Sequence, residues 1–208
     1  MIRVLVADDH PVVRKGLCLI LSEGDGIQVV AEANNAPEVL DALAATPVDV
    51  LVLDIGMPGR SGLELLQELR QLYPKLPVLI LSQYPEEQIA VRAIRSGAAG
   101  YLNKESAPEQ LVEAVRRVNQ GRKFLTATLA ELLAVIVEGG SAEPHQTLSA
   151  REYQVFLMIA SGRTVSDIAE ELSLSVKTVS TYRTRILEKM NLKNNAELTR
   201  YAIQNKLV

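Results

Sequence analysis

The chain has a single cysteine, Cys18, so no disulfide can form within it and a reducing compartment suits it. Cys18 stands in an apolar helical run, where a buried structural thiol is expected. No apolar run approaches the roughly 18 residues that a membrane span needs. The N-terminal stretch MIRVLVADD meets two aspartates before a signal-peptide core can form, which predicts a cytoplasmic protein. The two histidines, His10 and His145, suggest no metal site and are expected to be exposed or structural. There is no G-x-x-x-x-G-K-[ST] and no G-x-G-x-x-G, so neither a P-loop nor a dinucleotide fingerprint is present. Net charge is only −3, so bulk charge does not announce a nucleic-acid binder.

The distribution of charge says more than its sum. Residues 1–126 hold 13 Lys and Arg against 16 Asp and Glu, whereas residues 147–208 hold 9 against 6. Within residues 175–193 the balance is 5 against 1. An acidic front and a locally basic back predict two domains with different partners.

The first 120 residues alternate strand and helix patterns. Strands are expected at 2–7, 28–32, 48–53, 78–81 and 100–102. Helices are expected at 11–23, 37–45, 62–72, 86–96 and 108–119. Leu63, Leu66, Leu69 and Leu72 are read as one apolar stripe. Pro11, Pro37 and Pro108 fit first-turn positions, and Gly24, Gly97 and Gly121 fit helix ends. Such alternation predicts βαβ units and a five-stranded, doubly wound parallel sheet of α/β class. A further short helix is expected over 124–138. GGSAEPHQT, residues 139–147, then reads as a linker. From Leu148 onward the pattern is helical throughout, in four short helices. The expected organisation is therefore a domain at 1–121, a connector with a short helix at 122–147, and an all-α domain at 148–208.

Ligands of open α/β sheets bind beyond the carboxyl ends of the strands, at the switch in strand order. Asp8 and Asp9 close the first expected strand and Asp54 closes the third. In the order 2-1-3-4-5 these three carboxylates converge, with Ser82 and Lys104 ending strands four and five at the same rim. Clustered carboxylates repel one another, and a divalent cation resolves this. Mg²⁺ suits best, because it takes one or two carboxylates and accepts phosphate oxygens. An aspartate there is a plausible nucleophile toward phosphorus, and a lysine supplies a compact charge for a phosphoryl oxygen. Pro58 and the neighbouring glycines shape the loop after Asp54.

VLVADDH, LVLDIGMPGRSG, VLILS and GAAGYLNK together resemble the receiver domain of bacterial response regulators, over residues 1–121. The resemblance implies that Asp54 is the phosphoacceptor. It implies that Asp9 and Asp54 ligate Mg²⁺, that Asp8 acts through a metal-bound water, and that the Gly56 carbonyl completes the site. Ser82 and Lys104 would sense the phosphoryl group, and Tyr101 would rotate inward when Ser82 shifts. One departure is Glu105, where many receivers carry proline. A cis bond before a non-proline residue costs about 3 kcal/mol, so that loop is either strained or differently built.

In the tail, a helix at 165–172, a turn at 173–175 and a helix from Val176 form a helix-turn-helix, whose second helix enters the major groove. The helical wheel turns Val176, Val179, Ile186 and Met190 inward. Lys177, Thr181 and Thr184 lie opposite, flanked by Ser180 and Arg185, and should face DNA. Arg185, Lys189 and Lys193 suit phosphates. Arg183 falls near the inward side, as a packing residue.

Leu148, Ser149, Arg151, Glu152, Gly162, Ile168, Ala169, Leu172, Ser175, Thr178, Val179, Ile186 and Lys189 match the motif of the LuxR-type DNA-binding domain, with Thr178 counted among its DNA-facing residues. The whole chain therefore resembles the NarL/FixJ family. The resemblance implies a sensor histidine kinase as phosphodonor, DNA as target, a homodimer when phosphorylated or DNA-bound, and RNA polymerase as a candidate further partner. Tyr182, Thr181 and Thr184 depart from common family residues, so operator preference does not transfer. The residues also admit two rival readings: an aspartyl-phosphate phosphatase or phosphotransferase, and a phosphorylation-independent regulator. The first lacks an acidic residue two positions after Asp54. The second is disfavoured by a complete set of site residues.

Overall fold

A computed structural model describes residues 1–57, 62–83, 86–137, 143–205 and 207–208. The chain divides into two compact units, Met1–Ala134 and Val135–Val208. The loop residues 58–61, including Pro58, lie outside the described residues, as do the first four of the 139–147 linker.

The first unit runs β1 (Ile2–Ala7), α1 (Pro11–Glu23), β2 (Ile27–Ala33), α2 (Ala36–Ala45), β3 (Val50–Asp54), α3 (Gly62–Leu72), β4 (Val78–Ser82), α4 (Glu86–Arg95), β5 (Gly100–Asn103) and α5 (Ala107–Asn119). The strands pair in parallel in the order β2-β1-β3-β4-β5. β3 and β4 are buried along their whole length, as parallel strands covered on both faces must be. Val4, Val6, Val50, Val52, Leu79, Leu81 and Leu102 point to one face, where they meet Leu17 and Leu21 of α1 and Leu111, Val115 and Val118 of α5. Their sequence neighbours Leu5, Leu51, Leu53 and Ile80 are equally buried and point to the other face, because side chains alternate along a strand. α2 covers β1 and β2.

Boundaries of the five strands and of α1 to α5 hold within two residues, whereas the helix expected from residue 124 begins only at Ala127, because Phe124 bridges to Gly100 of β5. One expectation fails on α3. Its buried residues are Leu63, Leu65, Leu66 and Leu69, while Leu72 is 57% exposed. Steps of three drift backward by about 60° each on a 3.6-residue helix, so Leu72 ends opposite Leu63. Cys18 is half-buried rather than buried, and partial burial pushes its thiol pKa up to about 11. The Lys104–Glu105 peptide is trans, so this loop is built differently from a cis-proline loop.

α6 (Ala127–Val137) crosses the division between the units. Residues Pro144–Thr147 of the expected linker form a 3-10 turn instead, and His145 Nδ1 lies 2.9 Å from the Tyr201 hydroxyl. The helical unit then follows as α7 (Ala150–Ala160), α8 (Val165–Glu171), α9 (Val176–Lys189) and α10 (Asn195–Gln204). Each start is capped by a side chain: Ser149, Thr164, Ser175 and Asn194 accept from the backbone N–H three residues on. Such caps satisfy donors that a helix start leaves unpaired. Tyr153, Phe156, Ile168, Leu172, Val179, Ile186, Met190 and Leu198 are all buried in this unit. α9 packs on α7 and α8.

Candidate functional site

The sheet brings the predicted acidic residues together. β1 and β3 are neighbours, so the chain leaving Ala7 runs beside the chain leaving Leu53. Asp8 is fully buried and Asp54 is 2% exposed. Ligand atoms of Asp8, Asp9, His10 and Asp54 all lie within 4.8 Å of one another. Beside β3, the register pairs Asp54 with Leu81, and Ser82 with Asn103, which puts Ser82 and Lys104 at the same edge.

Lys104 ties this edge together. Its Nζ lies 2.8 Å from Asp54 Oδ2 and 2.7 Å from Asp8 Oδ2. Its backbone N–H donates to the Ser82 carbonyl at 2.8 Å, linking the ends of β4 and β5. The Gly56 N–H donates to Asp54 Oδ1 at 2.9 Å. Burial pushes the Asp54 carboxyl pKa up, and the Lys104 ammonium only partly offsets it. Burial alone pulls the Lys104 ammonium down, but Asp54 and Asp8 reverse this, and its pKa is raised. Gly62 opens the way for the loop after Asp54. A Cβ there would stand 2.6 Å from both the Asp54 carbonyl and the Ile55 Cα.

Two buried carboxylate oxygens, Asp8 Oδ2 and Asp9 Oδ1, accept no hydrogen bond. The nearest nitrogens are Lys104 Nζ, 2.7 Å from Asp8 Oδ2, and His10 Nδ1, 2.9 Å from Asp9 Oδ1. Oxygen-rich, buried and incompletely hydrogen-bonded, the donor set fits a hard divalent cation. His10 is the residue that sequence reading set aside and the fold brings in; its place directly after Asp9 was the available signal. Ser82 and Tyr101 are fully buried. Tyr101 therefore already stands inward in this structure.

The helical unit presents the second candidate site. Lys177, Ser180, Thr181, Thr184 and Arg185 are exposed, as the wheel requires, and so is Lys193 beyond the end of α9. Val179, Ile186 and Met190 are buried. Val176 is not: at the first position of α9 it is 51% exposed, and at 100° per residue it falls about 40–80° from Met190, Val179 and Ile186, at the edge of the buried stripe. Lys189 has a partner within its own unit. Its Nζ lies 2.6 Å from Glu152 Oε2, which also accepts from the Ser149 N–H. Burial raises the Glu152 pKa, but Lys189 and Ser149 outweigh it and hold the carboxyl below its ordinary range. Lys189 thus braces α9 against α7. Thr178 is half-buried, and its hydroxyl meets the capping Ser175 hydroxyl at 2.7 Å. Arg183 Nε donates to Asn195 Oδ1 at 2.6 Å, so its guanidinium is engaged within the unit.

Comparison with known proteins bears on both sites. Residues 4–116 match the response regulator receiver domain, and residues 146–202 match the bacterial regulatory proteins of the luxR family. The chain is 37% identical to the response regulator UvrY of Escherichia coli K12, over all of this chain and 96% of that protein. It is 36% identical to the response regulator GacA of Pseudomonas aeruginosa, over all of this chain and 98% of that one. Among solved structures, RcsB of Salmonella enterica serovar Typhimurium, bound to promoter P1flhDC with the phosphomimetic BeF₃⁻, matches with a TM-score of 0.68 and 27% identity. That match covers 96% of this chain and 97% of RcsB, and RcsB has also been solved as two dimers on two parallel DNAs.

Proposed function

The chain belongs to the NarL/FixJ family of two-component response regulators, DNA-binding transcription regulators rather than metabolic enzymes, and from that premise we propose that Asp54 is its phosphoacceptor and α9 its DNA-reading helix. The observation that carries the reading is the Lys104 bridge, which holds a buried Asp54 and a buried Asp8 at one strand edge. A histidine kinase partner offers phosphohistidine. An Asp54 carboxylate oxygen attacks phosphorus, the P–N bond breaks, and the imidazole keeps the electron pair and takes up a proton. Asp9, Asp54 and the Gly56 carbonyl would hold Mg²⁺, with Asp8 reaching it through water; when bound it neutralises charge on the transferring group.

Lys104 then exchanges a carboxylate partner for a phosphoryl oxygen, and Ser82 donates to another. Because the Lys104 N–H is bonded to the Ser82 carbonyl, a shift at one strand end is carried to the other. Tyr101, on β5 and already buried in this structure, is the side chain whose inward position such a shift would favour. A switch of this kind needs a two-state element biased by the new charge. We place the receiver at 1–121, the connector at 122–147 and the DNA-binding domain at 148–208.

Phosphorylation would favour a dimer reading two symmetric half-sites, with RNA polymerase as the partner downstream. The DNA-bound RcsB dimers support that arrangement by likeness. Such a protein works in the cytoplasm; among the described residues no helix is long and apolar enough to cross a membrane.

The test combines intact mass with fluorescence anisotropy on a selected operator, in Mg²⁺ with and without acetyl phosphate. One phosphoryl adduct and tighter DNA binding are expected, both absent in Asp54→Asn. An Asp54→Asn protein that acquires the adduct as the native one does removes Asp54 from the mechanism.

A further inference from the structure

Resting on that placement of α9, we propose that Thr181 and Thr184 read the operator through their methyl groups, so that the half-site presents thymine where they touch it. Both residues are exposed on one face of α9, opposite the buried Val179, Ile186 and Met190. Three residues apart, they are neighbours on the helix surface. Their hydroxyls are already committed. Thr181 Oγ1 donates to the Lys177 carbonyl at 2.9 Å, and Thr184 Oγ1 donates to the Ser180 carbonyl at 3.1 Å. A back-bonded threonine has spent its only side-chain proton within the helix. What it turns outward is a methyl group and oxygen lone pairs.

That surface selects among bases. Guanine shows two acceptors, N7 and O6, in the major groove, and these meet acceptor lone pairs without a proton between them. Thymine shows its C5-methyl, which packs on a threonine methyl with no hydrogen bond required. The row limits itself as well. Glu188 lies one further turn along the same face and is exposed, so its carboxylate turns phosphates away. The reading surface is therefore the N-terminal half of α9. Thr178, in the same half, is excluded because it is half-buried on the Ser175 cap.

The experiment selects an operator with full-length protein from a randomised duplex pool, then pairs protein and DNA changes. Thr184→Val keeps the methyl and loses the hydroxyl, and should bind within about twofold of the native protein. Thr184→Ser keeps the hydroxyl and loses the methyl, and should bind about fourfold more weakly, the factor one buried methyl is worth. Thr181 should behave alike. Replacing the contacted thymine by deoxyuridine should weaken native binding by the same factor and leave Thr184→Ser unchanged, since the two changes delete one contact.

If Thr184→Val loses as much as Thr184→Ser, or deoxyuridine binds as thymine does, the methyl reading is overturned. A pool that converges on guanine at these positions, or on no sequence, overturns it too. Thr184→Glu separates this from the parent reading. If it binds the operator unimpaired while its circular dichroism matches the native protein, α9 is not in the groove at all.

Discussion

The two units carry charge in opposite ways. In the α/β unit, Asp8, Asp54 and Lys104 are withdrawn from water and answer to one another. In the helical unit, Lys177 and Arg185 stand in solvent along α9, and Lys193 stands in solvent just beyond its end. A buried charge cluster stores a strong, local response to one added phosphoryl group, because interactions there are poorly screened. An exposed row of charges gives a weak, additive and salt-sensitive hold on a polyanion. A regulator that must change state and also find a target has use for one of each. The largest effect expected from breaking this division is Asp54→Asn. Phosphoryl incorporation should vanish by intact mass, while basal DNA binding without donor stays near the native value.

That contrast also governs how much was legible in the sequence. The acidic cluster could be read because strand order alone brings strand ends together, whatever the side chains do. Asp8, Asp9, Asp54, Ser82 and Lys104 all fall at the edge so predicted. On the helices, periodicity found faces but not partners. Leu72 failed because a spacing of three is not the helix period, and Val176 because it falls at the edge of the buried stripe of α9. Lys189 looks like one more cation on a basic face. Only the fold shows Glu152, 37 positions earlier, waiting for it. For His10 the only signal in the sequence is its adjacency to Asp9, which is weaker than a position at a strand end.

The next test attacks the rigidity of the buried site. Gly62→Ala adds a Cβ where the Asp54 carbonyl and Ile55 Cα stand 2.6 Å away, both backbone and unable to yield. A cost of about 3 kcal/mol, the upper range for overpacking, is expected in urea unfolding of the α/β unit followed by circular dichroism. The rate of phosphorylation by acetyl phosphate should fall with it, since the shift is forced on Asp54 itself. A native-like midpoint shows that this loop gives way easily and that the site is less rigid than its packing suggests.

The third test sharpens the division inside the helical unit. Lys189→Ala strands Glu152, whose side chain is 4% exposed, but the lysine end is 43% exposed and screened. The expected loss is about 1.5 kcal/mol of stability, below that of a fully buried pair. The salt dependence of DNA binding should not change. Lys193→Ala should do the opposite, leaving stability alone and lowering the slope of log K against log salt by about 1, as for one lost phosphate contact. If Lys189→Ala lowers the slope as Lys193→Ala does, Lys189 leaves Glu152 for DNA and the brace is not permanent.

The smallest effect concerns a charge pair of the α/β unit that is neither buried nor functional. Arg3 Nε and Nη2 donate to both Asp49 oxygens, at 2.9 and 2.7 Å, and the Arg3 N–H donates to one of them as well. These bonds hold the Asp49 carboxyl pKa down to about 2, against about 3.9 for an unfolded chain. A depressed carboxyl stabilises the fold above its unfolded pKa and loses that contribution as pH falls through its folded one. The pair should therefore contribute fully above about pH 4 and fade toward about pH 2. Arg3→Met measured against the native protein should show a stability gap at pH 6 that closes across that window. The gap should shrink in 1 M salt, because the side chains are 42% and 29% exposed and the charges are open to screening. A gap independent of pH would mean that Arg3 contributes by packing its stem on β1, and that even the exposed charges of this unit act as structure before they act as charge.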